Sequence, residues 1–167
     1  MFETPDELPG DAHREVTRLC EDGDAALDEE RYEEAVAAFG EAWRLLPAPA
    51  ERWSAATFIL AGLGDALFSA DRFGEAADAL AHTMRCPDGI GNPFLHLRLG
   101  QCRLELGDEG RAADELCRAF MAEGEEIFGD EDPKYLTFLK TRLDPPPGGW
   151  ASGQEPGRPA RPHDPAA

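Results

Sequence analysis

The segment Gly23–Pro47, GDAALDEERYEEAVAAFGEAWRLLP, reads as a helix, a tight turn and a second helix, and its pattern returns at Gly64–Asp88 and Gly100–Gly124. Recurrence of one such unit constrains the fold more than any single motif. Each unit leaves an apolar face that only a stacked neighbour can cover, so the pattern predicts a helical repeat array. In the first copy Val16, Leu19, Gly23 and Ala26 share one face of the leading helix. Gly23 lies inside that face, where glycine costs about 1 kcal/mol against alanine, so close approach of a neighbouring helix is expected there. The face breaks at Glu30 and Arg31. Tyr32 opens the second helix, whose stripe is Ala35, Phe39, Ala42 and Leu46, and Pro47 ends it.

These positions resemble the tetratricopeptide repeat (TPR), whose pattern of about 34 residues sets a large residue, leucine–glycine, an aromatic, alanine, an aromatic, alanine and proline in order. The slots read Leu19, Asp22-Gly23, Ala26, Ala35, Phe39, Ala42 and Pro47 in the first copy. They read Leu60, Leu63-Gly64, Leu67, Ala76, Leu80, Thr83 and Asp88 in the second, and His96, Leu99-Gly100, Arg103, Ala112, Leu116, Ala119 and Gly124 in the third. Glycine and the first alanine keep identical spacing in all three. The tryptophan slot never holds tryptophan, and the third copy has no proline. The resemblance implies an all-α solenoid of three helix pairs, with a seventh helix to solvate the last pair.

In order, helices are expected at about 12–29, 32–46, 51–69, 73–84, 93–106, 108–127 and 133–143. Gly23 to Gly64 spans 41 residues, seven more than one repeat. Seven residues make about two turns, so they fit on the front of the third helix without rotating its face. Trp53 is then expected to cap the first pair, with a contact at the groove mouth as the alternative. Asn92-Pro93 and Asp132-Pro133 are cap-plus-first-turn signals. The acid run Asp130–Asp132 lacks the spacing of a calcium loop, and the cap accounts for it. The domain is expected over 12–143, between a flexible lead-in at 1–11 and a disordered Pro/Gly/Ala-rich tail at 144–167 that carries Trp150.

The net charge is −18, and only −1 of it falls beyond Leu143. Lysine occurs only at Lys134 and Lys140. Such a field repels nucleic acid and anionic membranes, so neither is expected as a partner. The richest apolar run, Ala55–Leu63, is about half the length of a membrane span. The acidic, proline-broken start does not read as a signal peptide, and a cytoplasmic protein is expected. Cys20, Cys86, Cys102 and Cys117 lack disulfide or zinc spacing. His13, His82, His96 and His163 lie on separate segments, and no nucleophile elbow, zincin motif or phosphate loop occurs. No enzyme, metal or cofactor is expected.

Function is then sought on the concave wall that the leading helices form in such an array. The resemblance implies wall positions at Thr17, Cys20, Asp24, Leu27 and Asp28 in the first repeat. It implies Phe58, Ala61, Asp65, Phe68 and Ser69 in the second, and Phe94, Leu97, Arg98, Gln101 and Leu104 in the third. Some family members grip acidic C-termini with lysines and asparagines at slots that here hold Cys20, Asp24, Gly62, Phe94 and Arg98. Only Arg98 suits a carboxylate. The expected partner is therefore a protein or peptide that is apolar and carries Lys or Arg, held by an adaptor or chaperone-like scaffold. Bacterial type III secretion chaperones and immunity proteins that block a basic effector are the alternatives. Oligomeric state is not readable from the pattern.

Overall fold

The computed structural model describes residues 7–145 and 147–150. Seven α-helices follow one another: α1 Gly10–Asp28, α2 Tyr32–Leu45, α3 Ala55–Ser69, α4 Phe73–Thr83, α5 Pro93–Glu105, α6 Glu109–Glu123 and α7 Pro133–Lys140. No strand occurs among the described residues. The pairs α1/α2, α3/α4 and α5/α6 stack in chain order, and α7 closes the far end.

Each leading helix ends in the same way. Glu30, Asp71 and Gly107 adopt left-handed φ values of 57°, 58° and 78°. After each, an amide donates back five residues, Arg31 to Ala26, Arg72 to Leu67 and Asp108 to Arg103, at 2.8, 2.8 and 2.9 Å. This is a Schellman stop, which satisfies the orphan carbonyls and reverses the chain in two residues. The turn therefore needs no proline, and the trailing helix runs back against its partner.

The repeat glycines sit where the helices of a pair touch. A Cβ on Gly23 would lie 2.7 Å from the Phe39 ring, one on Gly64 2.6 Å from Leu80, and one on Gly100 2.7 Å from Leu116. In each pair the large residue follows its glycine by sixteen positions. Phe39 also meets Gly62 of α3, where an added Cβ would lie 2.5 Å from the ring, so one phenyl ring fills the space between the first two pairs. The trailing-helix slots Ala35, Phe39, Ala42, Ala76, Leu80, Thr83, Ala112, Leu116 and Ala119 are all fully buried.

Two boundaries differ most from the sequence expectation, and α7 also stops short of it, at Lys140. The seven extra residues do not extend α3 forward; they form a 3-10 turn at Ala50–Arg52, and α3 starts at Ala55. Trp53 folds over that turn, donates its indole N–H to the Pro47 carbonyl at 2.7 Å and packs on the first core cluster. α6 stops at Glu123, because Gly124 takes φ 72° and a 3-10 turn Gly124–Phe128 follows. That turn delivers Phe128 into the core shared with Leu97, Leu116, Tyr135, Leu136 and Leu139. α7 thus covers the bare face of the third pair. The Asp132 carboxylate caps α7 by accepting from the Lys134 amide at 2.9 Å.

Of the residues placed in flexible or tail segments, Leu8 is buried and Gly10 begins α1. Trp150 packs edge-on against Phe120, centroids 6.1 Å apart, with Lys140 Nζ 5.1 Å from its ring. Residues 1–6, 146 and 151–167 lie outside the described residues.

Candidate functional site

α1 and α3 lie side by side at the N-terminal end of the stack, and α5 continues the same wall. The three leading helices and the 87–92 loop enclose a cleft of about 460 Å³. Of the wall residues named from sequence, Asp24, Leu27, Phe58, Ala61, Asp65 and Phe94 line this cleft together. Ser54, Thr57, Gly62, Pro87, Asp88 and Asn92 complete it. The loop is fixed at both ends, since the Thr57 hydroxyl donates to the Pro87 carbonyl and Asn92 caps α5 by accepting from the Phe94 amide at 3.0 Å. A second cleft of about 340 Å³ lies between α1 and the start of α3, lined by Val16, Thr17, Cys20, Asp24, Ala55 and Phe58 among others.

Phe58 is the outstanding side chain of the wall. It is 53% exposed on a helix whose neighbours Ile59 and Leu60 are buried. Asp24 shares both clefts with it. Burial and the nearby Asp28 push the Asp24 carboxyl above the usual aspartate range. Cys20 faces the second cleft, but burial, with Asp24 and Glu21, raises its thiol to about 11, which keeps it protonated and unreactive.

The third repeat behaves differently. Leu97 and Gln101 are at 2% and 0% exposure, so neither belongs to an open wall. Arg98, named as the one residue suited to a partner's carboxylate, is already engaged. Its Nη1 donates to Glu131 at 2.9 Å and to Gln101 at 2.8 Å, and the Gln101 amide donates to the same Glu131 oxygen at 2.8 Å. Asp65 Oδ1 lies 2.7 Å from Arg98 Nε but off the N–H direction, so that contact is an ion pair without an aligned hydrogen bond. The guanidinium stands 4.5 Å from the Phe68 ring centroid and 5.3 Å from that of Phe94. Burial holds the Asp65 carboxyl above its usual range against the opposing pull of Arg98.

Phe68 is half-buried between the core around Leu97, Leu116 and Leu139 and that around Leu67, Leu80, Leu95 and Leu99, and also meets Phe73 and Tyr135, at 5.6 and 6.5 Å. It belongs to the packing that holds Arg98. Asp28 is exposed beyond the cleft at the end of α1, and Thr17 lines only the second cleft. Sequence reasoning missed Glu131, Ser54 and the 87–92 loop. Glu131 stood in the acid run read only as a helix cap, and nothing local to it points to α5.

His96 Nδ1 lies 2.6 Å from Glu115, which joins α5 to α6, and His82 Nε2 lies 2.7 Å from Glu51, which joins α4 to the 3-10 turn before α3. No cluster of three metal-ligating side chains occurs among the described residues, and no helix there is long and apolar enough to cross a membrane.

No protein-family model and no curated protein sequence matches the chain. Solved structures do. The OM64 TPR domain of Arabidopsis is 19% identical, with a TM-score of 0.63 over 79% of this chain and 99% of that one. The Yersinia enterocolitica type III secretion chaperone SycD, solved with a peptide of the translocator YopD, is 16% identical, with a TM-score of 0.59 over 75% of this chain and 90% of that one. The TPR2B domain of yeast Sti1, solved as a pHsp70 complex, is 15% identical, with a TM-score of 0.58 over 76% and 94%. The chain has the tetratricopeptide-repeat fold: three helix pairs in a solenoid and a seventh, solvating helix. Likeness at these identities speaks for the fold alone.

Proposed function

We propose that this chain is a non-enzymatic interaction scaffold, an adaptor or chaperone-like protein of the cytoplasm. Its concave groove takes an apolar peptide or partner helix that carries Lys or Arg. The observation that carries the reading is Phe58, an aromatic 53% exposed inside a concave cleft and flanked by Asp24 and Asp88, with Asp65 already paired to Arg98. An aromatic anchor that a partner can desolvate is where interface energy concentrates. Carboxylates around it set the sign of the partner and speed its approach. The same carboxylates disfavour nucleic acid, anionic membranes and acidic C-terminal tails. The peptide seated on SycD and the Hsp70 complex of Sti1 support peptide capture as a use of this fold.

Panning a random peptide display library on the protein tests this. The expected enriched peptides combine apolar residues with Lys or Arg and are lost on Phe58→Ala. Enrichment of acidic peptides, or an unchanged set on Phe58→Ala, refutes it.

A further inference from the structure

Phe58, Asp24 and Ser54 each line both clefts, so the Phe58 ring stands as a ridge with a pocket on either side. The 460 Å³ cleft beyond it has an apolar floor at Leu27, Ala61 and Phe94, and the 340 Å³ cleft before it has one at Val16, Cys20 and Ala55. Each has room for at least one large side chain. Asp24 lies at their junction, where burial and Asp28 both oppose its charge; Glu21 and His13 also line the 340 Å³ cleft. Further along the wall, Asp65 is matched by Arg98, which itself is 9% exposed and bound to Glu131. The unbalanced charge and the open apolar surface therefore coincide at the α1–α3 end.

Resting on the scaffold reading above, we infer that the groove recognises a linear peptide segment by two apolar side chains that straddle Phe58, one in each cleft, and one Lys or Arg side chain set on Asp24 between them. Each apolar anchor gains by leaving water, and the aromatic ridge fixes the spacing between the two. The cation relieves a carboxylate that the fold alone leaves disfavoured in its charged form. Register thus comes from the ridge and polarity from Asp24. The third repeat contributes little beyond Phe94, because its arginine, glutamine and leucine are spent on packing against the 124–131 segment and α7.

The test uses synthetic fluorescein-labelled decapeptides with two leucines separated by one to four intervening residues, one of them lysine. Matched peptides carry serine for either leucine, or glutamate for the lysine. Binding is read by fluorescence anisotropy on the full chain and on Thr17→Trp, which fills only the second cleft, and Ala61→Phe, which fills only the first. Circular dichroism checks that both variants fold. One leucine spacing is expected to bind best. Loss of either leucine should weaken that peptide at least tenfold, and the glutamate peptide at least tenfold. Each filling variant should lose the contribution of one leucine and keep that of the other. Should one-leucine peptides bind as tightly as two-leucine ones, and Thr17→Trp leave affinity unchanged, the two-cleft assignment is wrong while the scaffold reading stands. Absence of binding by every peptide overturns the two-cleft assignment; the display experiment then decides the scaffold reading separately.

Discussion

A Cβ on Gly100 would lie 2.7 Å from Leu116 Cγ and 3.0 Å from the Leu116 backbone nitrogen. The second distance matters more, because a backbone atom of the facing helix cannot rotate away. Gly100→Ala therefore forces α5 and α6 apart. Overpacking of this kind costs about 1–3 kcal/mol, which exceeds the roughly 1 kcal/mol that alanine gains in helix propensity. Gly40, inside α2, has nothing within 4 Å of its Cβ position, so Gly40→Ala keeps only the gain. Thermal melts are expected to show Gly100→Ala several degrees below the parent and Gly40→Ala above it. Equal shifts for the two would show that the helix pair is not held by this contact.

The same glycines explain how far the sequence could be read. A close approach between adjacent helices demands a small residue at one fixed place, so Gly23, Gly64 and Gly100 report the fold directly. Ala35, Ala76 and Ala112 do the same on the trailing helices. The apolar stripes legible at Phe39, Leu80 and Leu116 fill those contacts. Half of the groove was legible for the same reason. Asp24, Phe58 and Asp65 follow from helical register once the repeat is known, and they meet in one cleft. The other half was not. Leu97, Arg98 and Gln101 share that register, but what happens to them is decided by Glu131 and the 124–128 turn, some thirty residues later in chain order. Periodicity gives the face of a helix and is silent about which distant segment covers that face. The start of α3 was misread because an insertion of two turns keeps helical phase on paper, whereas Trp53 and its bond to Pro47 fold it into a compact cap.

Phe58 and Phe68 lie on one helix, yet they are expected to respond differently to truncation. Phe58 is 53% exposed, whereas Phe68 packs between the cores around Leu97 and around Leu99 and lies under the Arg98 guanidinium. Phe68→Ala is expected to cost about 3 kcal/mol, the low end for a buried phenylalanine because part of the ring is solvated. Phe58→Ala should leave the melting temperature within about a degree, in keeping with the small effect of surface substitutions. A large melting shift for Phe58→Ala would move that ring from the groove to the core.

Arg98 joins the second repeat to the segment before α7 through Asp65 and Glu131, whose side chains are 26% and 18% exposed against 10% for Arg98. Arg98→Ala leaves two partly buried carboxylates facing each other. Breaking a buried pair from one side costs about 3–5 kcal/mol, and solvent access to Asp65 puts this case at the lower end. Glu131→Gln leaves Asp65 to balance the arginine and should cost less. Urea unfolding of the two variants separates them; an Arg98→Ala effect no larger than that of Glu131→Gln would show that the pair does not hold the end of the stack.

Trp150 covers Lys140, whose ammonium is 3.0 Å from Glu125, and meets Phe120 edge-on. An aromatic pair and a cation–π contact at a half-exposed site are each worth about 0.5–1 kcal/mol. Trp150→Ala is expected to lower the melting temperature by a few degrees. A chain ending at Leu143 should show the same loss, because it lacks the same ring. No change in either would mean that Trp150 does not hold α7.

Asp24 links stability to pH. Burial and Asp28 raise its carboxyl above the ordinary aspartate range in the folded chain. A raised carboxyl pKa means that the folded state binds more protons than the unfolded one between the two values. Stability contributed by this group is therefore full below the unfolded pKa, about 3.9 for aspartate, and is lost as pH rises through the folded value. Asp24 is exposed, so solvent screens most of this, and at pH 7 the charged side chain is expected to cost the fold only a little. Asp24→Asn removes that cost, so it should raise the melting temperature at pH 7, and the advantage should shrink to nothing as pH falls below the ordinary aspartate range. Added salt should shrink it too, since the repulsion from Asp28 is screened. The same substitution should weaken the lysine-bearing peptides most. Melts of the parent and Asp24→Asn across pH 3.5–7.5 check the sign, and an asparagine variant less stable than the parent at pH 7 would reverse it.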